Sequence, residues 1–289
     1  MAEADALFER AVKRLFDHDL PEARRLFGEA GRAGRHDAAV IHCNLTASGG
    51  DWRRGIALLR QLAKRDPRCA RELAVVEAMR LTREGDPVEA PAGRMIGESP
   101  HLTLFEGLFT PAECAYLVRA AVPMLEPSVV VDNRSGRQVR DPVRSSDGIG
   151  FTWPLENPAV HALNRRIAAA SGTGTDQGEP LQVLRYRPGQ EYKPHFDAIP
   201  AFANQRILTM LVWLNEGYEG GETMFMKTGA KLRGRPGDAL LFRNAGPDGR
   251  RDEAAAHAGL PVTRGEKLIA SRWIRAAPFE PPRQGAPVA

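Results

Sequence analysis

The sequence predicts an α+β chain in which an all-α domain precedes an antiparallel β-barrel or jelly roll. Apolar residues recur at helical spacing over residues 1–84, prolines and glycines interrupt residues 85–100, and short apolar runs separated by turn residues follow. We therefore expect a helical domain at 1–84, a linker at 85–100, a β-rich domain at 101–280 and a flexible tail at 281–289.

The first 84 residues have the pattern of amphipathic helices. Apolar side chains three and four residues apart share one face in each of two segments. These side chains are Leu7, Phe8, Ala11, Val12 and Leu15, followed by Ala23, Leu26, Phe27 and Ala30. The segment from Asp19 is partly repeated from Asp51, which indicates paired helices of a repeat. The repeat resembles the Sel1-type or tetratricopeptide kind, with an ordinary helical bundle as the alternative.

The second part of the chain has the pattern of short strands. Its apolar runs are SVVVD, QVLRY, ILTMLVWL, ALLFR and KLIASRWI, and turns such as RPGQ and RPGD separate them. Before these runs, Thr110 and Glu113 have the spacing of a capping box, which predicts a helix start. Short strands preceded by one or two helices are typical of a barrel or jelly roll.

Composition and charge exclude several classes of protein. The net charge is only +4, from 40 Lys and Arg against 36 Asp and Glu, so we expect no nucleic-acid partner. The first residues are acidic and amphipathic, and no apolar run reaches the roughly 18 to 20 residues of a membrane span. We therefore expect no signal peptide and no membrane. The three cysteines, Cys43, Cys69 and Cys114, lack metal-type spacing and indicate buried thiols in the cytoplasm. The oligomeric state stays open.

His195 and Asp197 are the first candidates for chemistry. Side chains two residues apart on a strand point to the same face, so this imidazole and this carboxylate converge. The His-x-Asp pattern is weak alone, because a strand-end histidine followed by a turn aspartate is common. A third ligand is needed, and His257 is the only histidine downstream of the pair. Two histidines and one carboxylate form the facial triad of non-haem Fe(II) oxygenases, which leaves positions open for a co-substrate and oxygen.

Lys267 is the candidate anchor for such a co-substrate. It is one of only six lysines among 40 basic residues, and it lies within the apolar run KLIASRWI. A dicarboxylic keto acid that chelates a metal with one end places its other carboxylate in an apolar interior, where a cation must meet it. The alternative is a strand-edge lysine whose head group lies in water.

Four motifs in a fixed order carry a family resemblance. They are LQVLRYRPGQEYKPHFD, QRILTMLVWLNEGYEGGETMF, RPGDALLF and HAGLPVTRGEKLIASRWIRAAPF. They resemble the catalytic domain of prolyl 4-hydroxylases of the plant and algal type, over about residues 100 to 279. This resemblance implies a double-stranded β-helix, or jelly roll, with flanking helices. It also implies a 2-oxoglutarate-dependent dioxygenase, similar to procollagen-proline 4-dioxygenase, that uses Fe(II), 2-oxoglutarate, O2 and L-ascorbate as reductant.

The resemblance also implies roles for individual residues. The iron ligands, and thus the catalytic residues, would be His195, Asp197 and His257. The co-substrate site would comprise Lys267, which pairs with the C5 carboxylate of 2-oxoglutarate, and the hydroxyl-bearing Tyr186 and Thr223, with Trp273 lining the same cavity. The residues beside the substrate would be Tyr192, Arg206 and Trp273. Ordinary alternatives exist for these side chains, such as core aromatics, a strand-edge hydroxyl and a surface cation.

Three functions stay open. The resemblance implies hydroxylation of prolyl or similar residues in a peptide or protein, coupled to decarboxylation of 2-oxoglutarate to succinate, with the helical domain recruiting the substrate. The segment AIPAFANQ between Asp197 and Arg206 is shorter than the corresponding loop of the plant-type enzymes, which favours a free amino acid or another small metabolite. The third is a non-catalytic helical-repeat interaction protein with a degenerate barrel.

Overall fold

The order of elements follows the prediction, with helices first and strands afterwards. The structure is a computed structural model that describes residues 2–131, 138–140, 143–199, 203–246 and 248–280. The predicted tail 281–289 lies outside the described residues. The chain divides into two compact units. Among the described residues, the first unit comprises 2–89, 151–166 and 280, and the second comprises the others.

Five helices form most of what is described of the first unit. They are α1 (Ala2–Phe16), α2 (Leu20–Arg32), α3 (His36–Ser48), α4 (Trp52–Ala63) and α5 (Pro67–Ala78). The predicted apolar faces of α1 and α2 meet in one core, where Leu26 and Phe27 are almost fully buried. The side chains of Asp19 and Asp51 each accept a hydrogen bond from the backbone N–H three residues later, at the starts of α2 and α4. The two caps occupy equivalent places, as a repeat requires.

Residues 151–166 belong to the helical unit, although the sequence predicts a β-rich domain throughout 101–280. Trp153 packs against the core of α1 and α2, and the Asn44 side chain donates a hydrogen bond of 2.8 Å to the Pro154 carbonyl. The ring of His161 lies 6.3 Å from that of Trp52. These contacts join residues about a hundred positions apart, which local periodicity does not reveal.

The second unit contains the strands and two further helices. The helices are α6 (Pro111–Ala121) and α7 (Pro158–Ser171), of which α7 begins in the first unit. The strands up to the middle of the unit are β1 (Arg94–Glu98), β2 (His101–Phe105), β3 (Glu126–Pro127), β4 (Val129–Val131), β5 (Gln138–Arg140), β6 (Asp147–Gly150), β7 (Gln182–Tyr186) and β8 (Tyr192–His195). The later strands are β9 (Arg206–Trp213), β10 (Glu219–Gly220), β11 (Thr223–Phe225), β12 (Lys231–Leu232), β13 (Ala239–Arg243), β14 (His257–Gly259), β15 (Val262–Arg264) and β16 (Lys267–Arg275).

Two antiparallel sheets form the jelly roll. The larger sheet has the strand order β1-β2-β13-β9-β16-β7-β6-β3, and the smaller has the order β12-β11-β14-β8. Phe225 of the smaller sheet and Phe242 of the larger pack edge to face, with ring centroids 5.3 Å apart. All five predicted apolar runs contain strands, and the Thr110–Glu113 capping box starts α6 with both of its hydrogen bonds. The predicted fold class is confirmed.

The predicted linker 85–100 differs from the structure in one respect. Residues Arg94–Glu98 form β1, which pairs with β2 through an irregularity between Met95 and Gly97. Glycines at 93 and 97 hide this strand from an alternation pattern, because they carry no side chain to alternate. Among the helices that the structure describes, none is both long and apolar enough to cross a membrane.

Candidate metal centre

Two histidines on paired strands and an aspartate just beyond one of these strands converge inside the jelly roll. His195 ends β8, His257 begins β14, and the two residues face each other in the register of these strands. The Nε2 atom of His195 lies 3.5 Å from Oδ1 of Asp197, and Nε2 of His257 lies 3.8 Å from Oδ2 of the same carboxylate. One ligand atom from each residue lies within 4.8 Å of the others. The spacing fits a single metal ion bound by all three.

Backbone carbonyls orient both imidazoles. Nδ1 of His195 lies 2.9 Å from the carbonyl oxygen of Lys193, and Nδ1 of His257 lies 3.0 Å from that of Ala255. A carbonyl oxygen only accepts, so Nδ1 must carry the proton in each ring. In the neutral tautomer Nε2 then presents its lone pair toward Asp197, as a metal ligand requires. Burial lowers the pKa of His257, which favours that neutral form.

Asp197 is a buried carboxylate held in its charged form. Burial alone would raise its pKa, but positive charge on His257 and His195, whose place a bound metal ion would take, and the Thr209 hydroxyl together outweigh burial and hold the pKa well below the usual range. Thr209 donates a hydrogen bond of 2.6 Å to Oδ2, and the Asn244 side chain donates one of 2.7 Å to the Thr209 hydroxyl. Two neutral imidazoles and one carboxylate are a donor set that suits Fe(II).

Lys267 is a buried cation in the cavity that the three ligands line. It is the first residue of β16, a strand of the larger sheet, and it pairs with Tyr186 of β7. Only 2% of the residue is exposed. The ammonium donates a hydrogen bond of 2.6 Å to the Gly221 carbonyl and lies 5.4 Å from the Tyr186 ring. Burial lowers its pKa to about 8, although the Glu222 carboxylate opposes this shift. Within the described part of the chain, the ammonium has no second hydrogen-bond acceptor, so the site suits an added anion.

The cavity gathers most of the residues singled out in the sequence. Besides the three ligand residues, its walls include the predicted residues Tyr186, Tyr192, Thr223, Lys267 and Trp273. The Tyr192 ring stacks on His195 with centroids 3.5 Å apart and planes 12° apart. A single connected cavity therefore offers a metal site, a buried cation and two aromatic walls.

Arg206 is the predicted site residue that does not line this cavity. Its guanidinium makes two hydrogen bonds to the Glu179 carboxylate, at 2.6 and 2.9 Å, and stacks 3.6 Å from the centre of the Trp273 ring. The structure thus places Arg206 behind a wall of the cavity, where it supports Trp273. Sequence reasoning missed Glu179, because the strand pattern around Arg206 gives no sign of a partner 27 residues earlier.

Four further polar residues of the site were not predicted. Ser271 and Arg144 line the cavity, while Thr209 and Asn244 support Asp197. Ser271 was detectable, since residues 267, 269, 271 and 273 alternate along β16 and all line the cavity. Arg144 has no comparable signal, because an isolated bridge to Tyr192 brings it to the site.

Comparison with known proteins places the chain in a family. The profile of the 2OG-Fe(II) oxygenase superfamily matches residues 181–275. Prolyl 4-hydroxylase 1 of Arabidopsis thaliana is 36% identical over 200 residues, which are 63% of this chain and 71% of that protein. Probable prolyl 4-hydroxylase 7 of the same plant is 35% identical over 205 residues, covering 63% of this chain and 65% of that protein.

A solved structure of similar sequence is that of viral collagen prolyl hydroxylase from Paramecium Bursaria Chlorella virus-1, in complex with 2OG. It is 30% identical, covers 61% of this chain and 96% of that chain, and has a TM-score of 0.49. The predicted family and enzyme class are confirmed by the plant relatives and the superfamily profile, and the alternative of a non-catalytic protein is not supported. The chain belongs to the prolyl 4-hydroxylase family of 2-oxoglutarate- and Fe(II)-dependent dioxygenases.

Proposed function

We propose that this chain hydroxylates prolyl or similar residues in a peptide or protein. The reaction consumes O2 and 2-oxoglutarate, places one oxygen atom in a substrate C–H bond and releases succinate and CO2. Fe(II) held by His195, Asp197 and His257 supplies the activation of O2. The observation that carries the proposal is a buried ammonium, Lys267, with spare hydrogen-bond donors in the same cavity as the three ligand residues.

The chain's own residues then have distinct tasks. The Lys267 ammonium neutralises the C5 carboxylate of 2-oxoglutarate, and Tyr186 and Thr223, which line the same cavity, offer hydroxyl groups as further donors to it. Tyr192 and Trp273 provide apolar walls that exclude water and position the substrate. Arg206 keeps Trp273 in place through its stacking and its bonds to Glu179.

A second candidate function is hydroxylation of a free amino acid. It is favoured by the short segment between Asp197 and Arg206, whose ends are fastened together. The Gln205 side chain accepts from the Ile199 N–H at 2.8 Å and donates to the Ile199 carbonyl at 2.7 Å. A segment closed in this way offers little length to enclose a peptide.

Mass spectrometry of candidate substrates separates the two functions. We expect a proline-rich peptide to gain one oxygen atom after aerobic incubation with the protein, Fe(II), ascorbate and 2-oxoglutarate, with an equal amount of succinate. Omission of 2-oxoglutarate is the control. Oxygen gain by free proline but by no peptide would favour the second function, and succinate release without any oxidised substrate would contradict both substrate classes.

The affinity for 2-oxoglutarate is expected to fall as the pH rises above about 8. Burial lowers the pKa of Lys267 to about 8 in the ligand-free protein. Below that pH the ammonium is already present, so this group adds no pH dependence. Above it, binding of the carboxylate takes up one proton, and the affinity falls by up to about tenfold per pH unit. Titration with 2-oxoglutarate between pH 6.5 and 9.5 measures this.

The matched control for this pH dependence is Lys267→Arg. A guanidinium stays protonated across the whole range, so the fall above pH 8 should disappear even where the affinity is weaker overall. An equal fall in the variant would assign the pH dependence to another group.

Three further features belong to this proposal. We propose ascorbate as the reductant, as the family resemblance implies. We propose the cytoplasm as the location, with support from three buried cysteines that are all free. We also propose that the helical unit is a Sel1-type or tetratricopeptide repeat, with support from the equivalent caps of Asp19 and Asp51.

A further inference from the structure

A basic groove crosses the helical unit, remote in sequence from the residues of the metal centre. Helices α2, α3 and α4 and the turn before α4 enclose about 500 Å³, within the roughly 300–1,000 Å³ of ordinary ligand pockets. The polar side chains that line the groove are Arg24, Arg25, Arg32, His42, Thr46, Asp51 and Arg54.

Close helix packing makes these arginines converge. A Cβ on Gly31 would lie 3.0 Å from the Cβ of Ala39, and one on Gly55 would lie 2.5 Å from the Cβ of Ala47. Because glycine has no side chain, α2 and α4 each approach α3 so closely that backbone atoms of the two helices are in contact. Arginines from α2 and α4 come to line one groove as a result, although they are up to 30 residues apart in the chain.

The guanidinium groups of Arg24, Arg32 and Arg54 have no ion-pair partner within the described residues. Arg25, which also lines the groove, differs from them because Glu22 and Glu29 pair with it. The one acid in the groove, Asp51, accepts from the Arg54 backbone N–H as the cap of α4. Three arginines of one groove that have no ion-pair partner within the described residues are suited to bind an anion.

The positive charges of all three guanidinium groups affect His42, so these groups lie around the same part of the groove. Its ring lies against Gly28 and its Nδ1 donates to the Arg24 carbonyl at 2.8 Å. Burial lowers the pKa of this histidine, and the charges of Arg54, Arg32 and Arg24 lower it further. The ring is therefore favoured in its neutral form as a wall of the groove, and the positive charge comes from the arginines.

We infer that this groove binds an acidic peptide segment of a partner protein. The planar, bidentate donors of arginine match carboxylates. A nucleic acid fits less well, because the described residues that line the groove include no Phe, Tyr or Trp on which a base could stack. Residues 1–90 carry 16 Lys and Arg against 15 Asp and Glu, so the groove is a local basic patch and not part of an extended cationic field. The inference does not depend on the proposed hydroxylation.

Fluorescence anisotropy with the full-length protein tests this inference. The probes are a labelled peptide of alternating Asp and Glu and a matched peptide of Asn and Gln. The groove variant combines Arg24→Gln, Arg32→Gln and Arg54→Gln, and the control variant combines Arg10→Gln, Arg65→Gln and Arg71→Gln. The control residues are exposed arginines of the same unit outside the groove, so both variants lose three charges.

We expect the groove variant to bind the acidic peptide at least about tenfold more weakly, and the control variant to bind within about twofold of the unmodified protein. The neutral peptide should not bind. Equal losses in both variants would mean diffuse attraction and overturn the inference, as would the absence of binding by the unmodified protein at low ionic strength. Tighter binding of single-stranded DNA than of the peptide would overturn the choice of partner. The double variant Arg32→Gln, Arg54→Gln, at two exposed positions, repeats the test if the triple variant fails to fold.

Discussion

Replacement of Asp197 by alanine is expected to lower the affinity for Fe(II) by more than about 100-fold and to abolish hydroxylation. Asp197 supplies the single negative charge of the ligand set and contacts both histidines. Replacement of a residue that only hydrogen-bonds to a metal ligand already reduces metal affinity by about 10- to 100-fold. Loss of a ligand itself is therefore expected to reduce the affinity further. Anaerobic titration with Fe(II) in the presence of 2-oxoglutarate, followed by visible absorption, measures the affinity.

The replacement His257→Ala is expected to have a similar effect, because it removes the ligand that β14 contributes. His101→Ala is the matched control, since His101 lies in the same unit on β2 and outside the cavity. The control should retain wild-type affinity and turnover. Wild-type iron affinity in both ligand variants would show that the metal binds elsewhere and would refute the assignment of the three ligands.

Replacement of Lys267 by methionine is expected to raise the 2-oxoglutarate concentration for half-maximal succinate release by about 100- to 4,000-fold. Loss of one partner of a buried ion pair costs roughly 3–5 kcal/mol, and each 1.4 kcal/mol or so is a factor of ten in affinity. Methionine is unbranched and of similar length, so it keeps the space beside Gly221 filled. The change is therefore in charge more than in packing.

Two measurements separate this effect from general damage to the site. Fe(II) binding to Lys267→Met should stay close to wild type, because the ammonium contacts Gly221 and not the three ligand residues. Lys231→Met is the control, since it removes an exposed lysine of β12 in the same unit. An unchanged half-saturation concentration in Lys267→Met would show that another cation holds the C5 carboxylate.

Much of the fold was predictable because its pattern is local. Helical spacing of apolar residues identified the buried faces of α1 and α2, and the capping box at Thr110 identified the start of α6. Alternation and turn residues identified the strands that carry Tyr186 and Lys267. In each case neighbours along the chain decide the conformation, so a single sequence contains the signal.

The convergence of the three candidate metal ligands was predictable for a related reason. The pair His195 and Asp197 is local, and the scarcity of histidines pointed to His257 as the third ligand. The hydrogen bonds from Thr209 and Asn244 that support Asp197 were not predictable. The sequence pattern around a threonine in a strand or an asparagine after a strand is the same whether or not its side chain contacts a candidate metal ligand.

Features that depend on distant contacts appeared only in the folded chain. The pairing of Arg206 with Glu179, the packing of residues 151–166 with the helices, and the convergence of Arg24 and Arg54 each join parts of the chain without a shared local pattern. Periodicity records which face of an element is buried, whereas the partner of that face is chosen by the packing of the whole unit. The types of the elements and the candidate metal ligands could therefore be predicted from the amino-acid sequence, whereas the environment of each charged group depends on the three-dimensional fold.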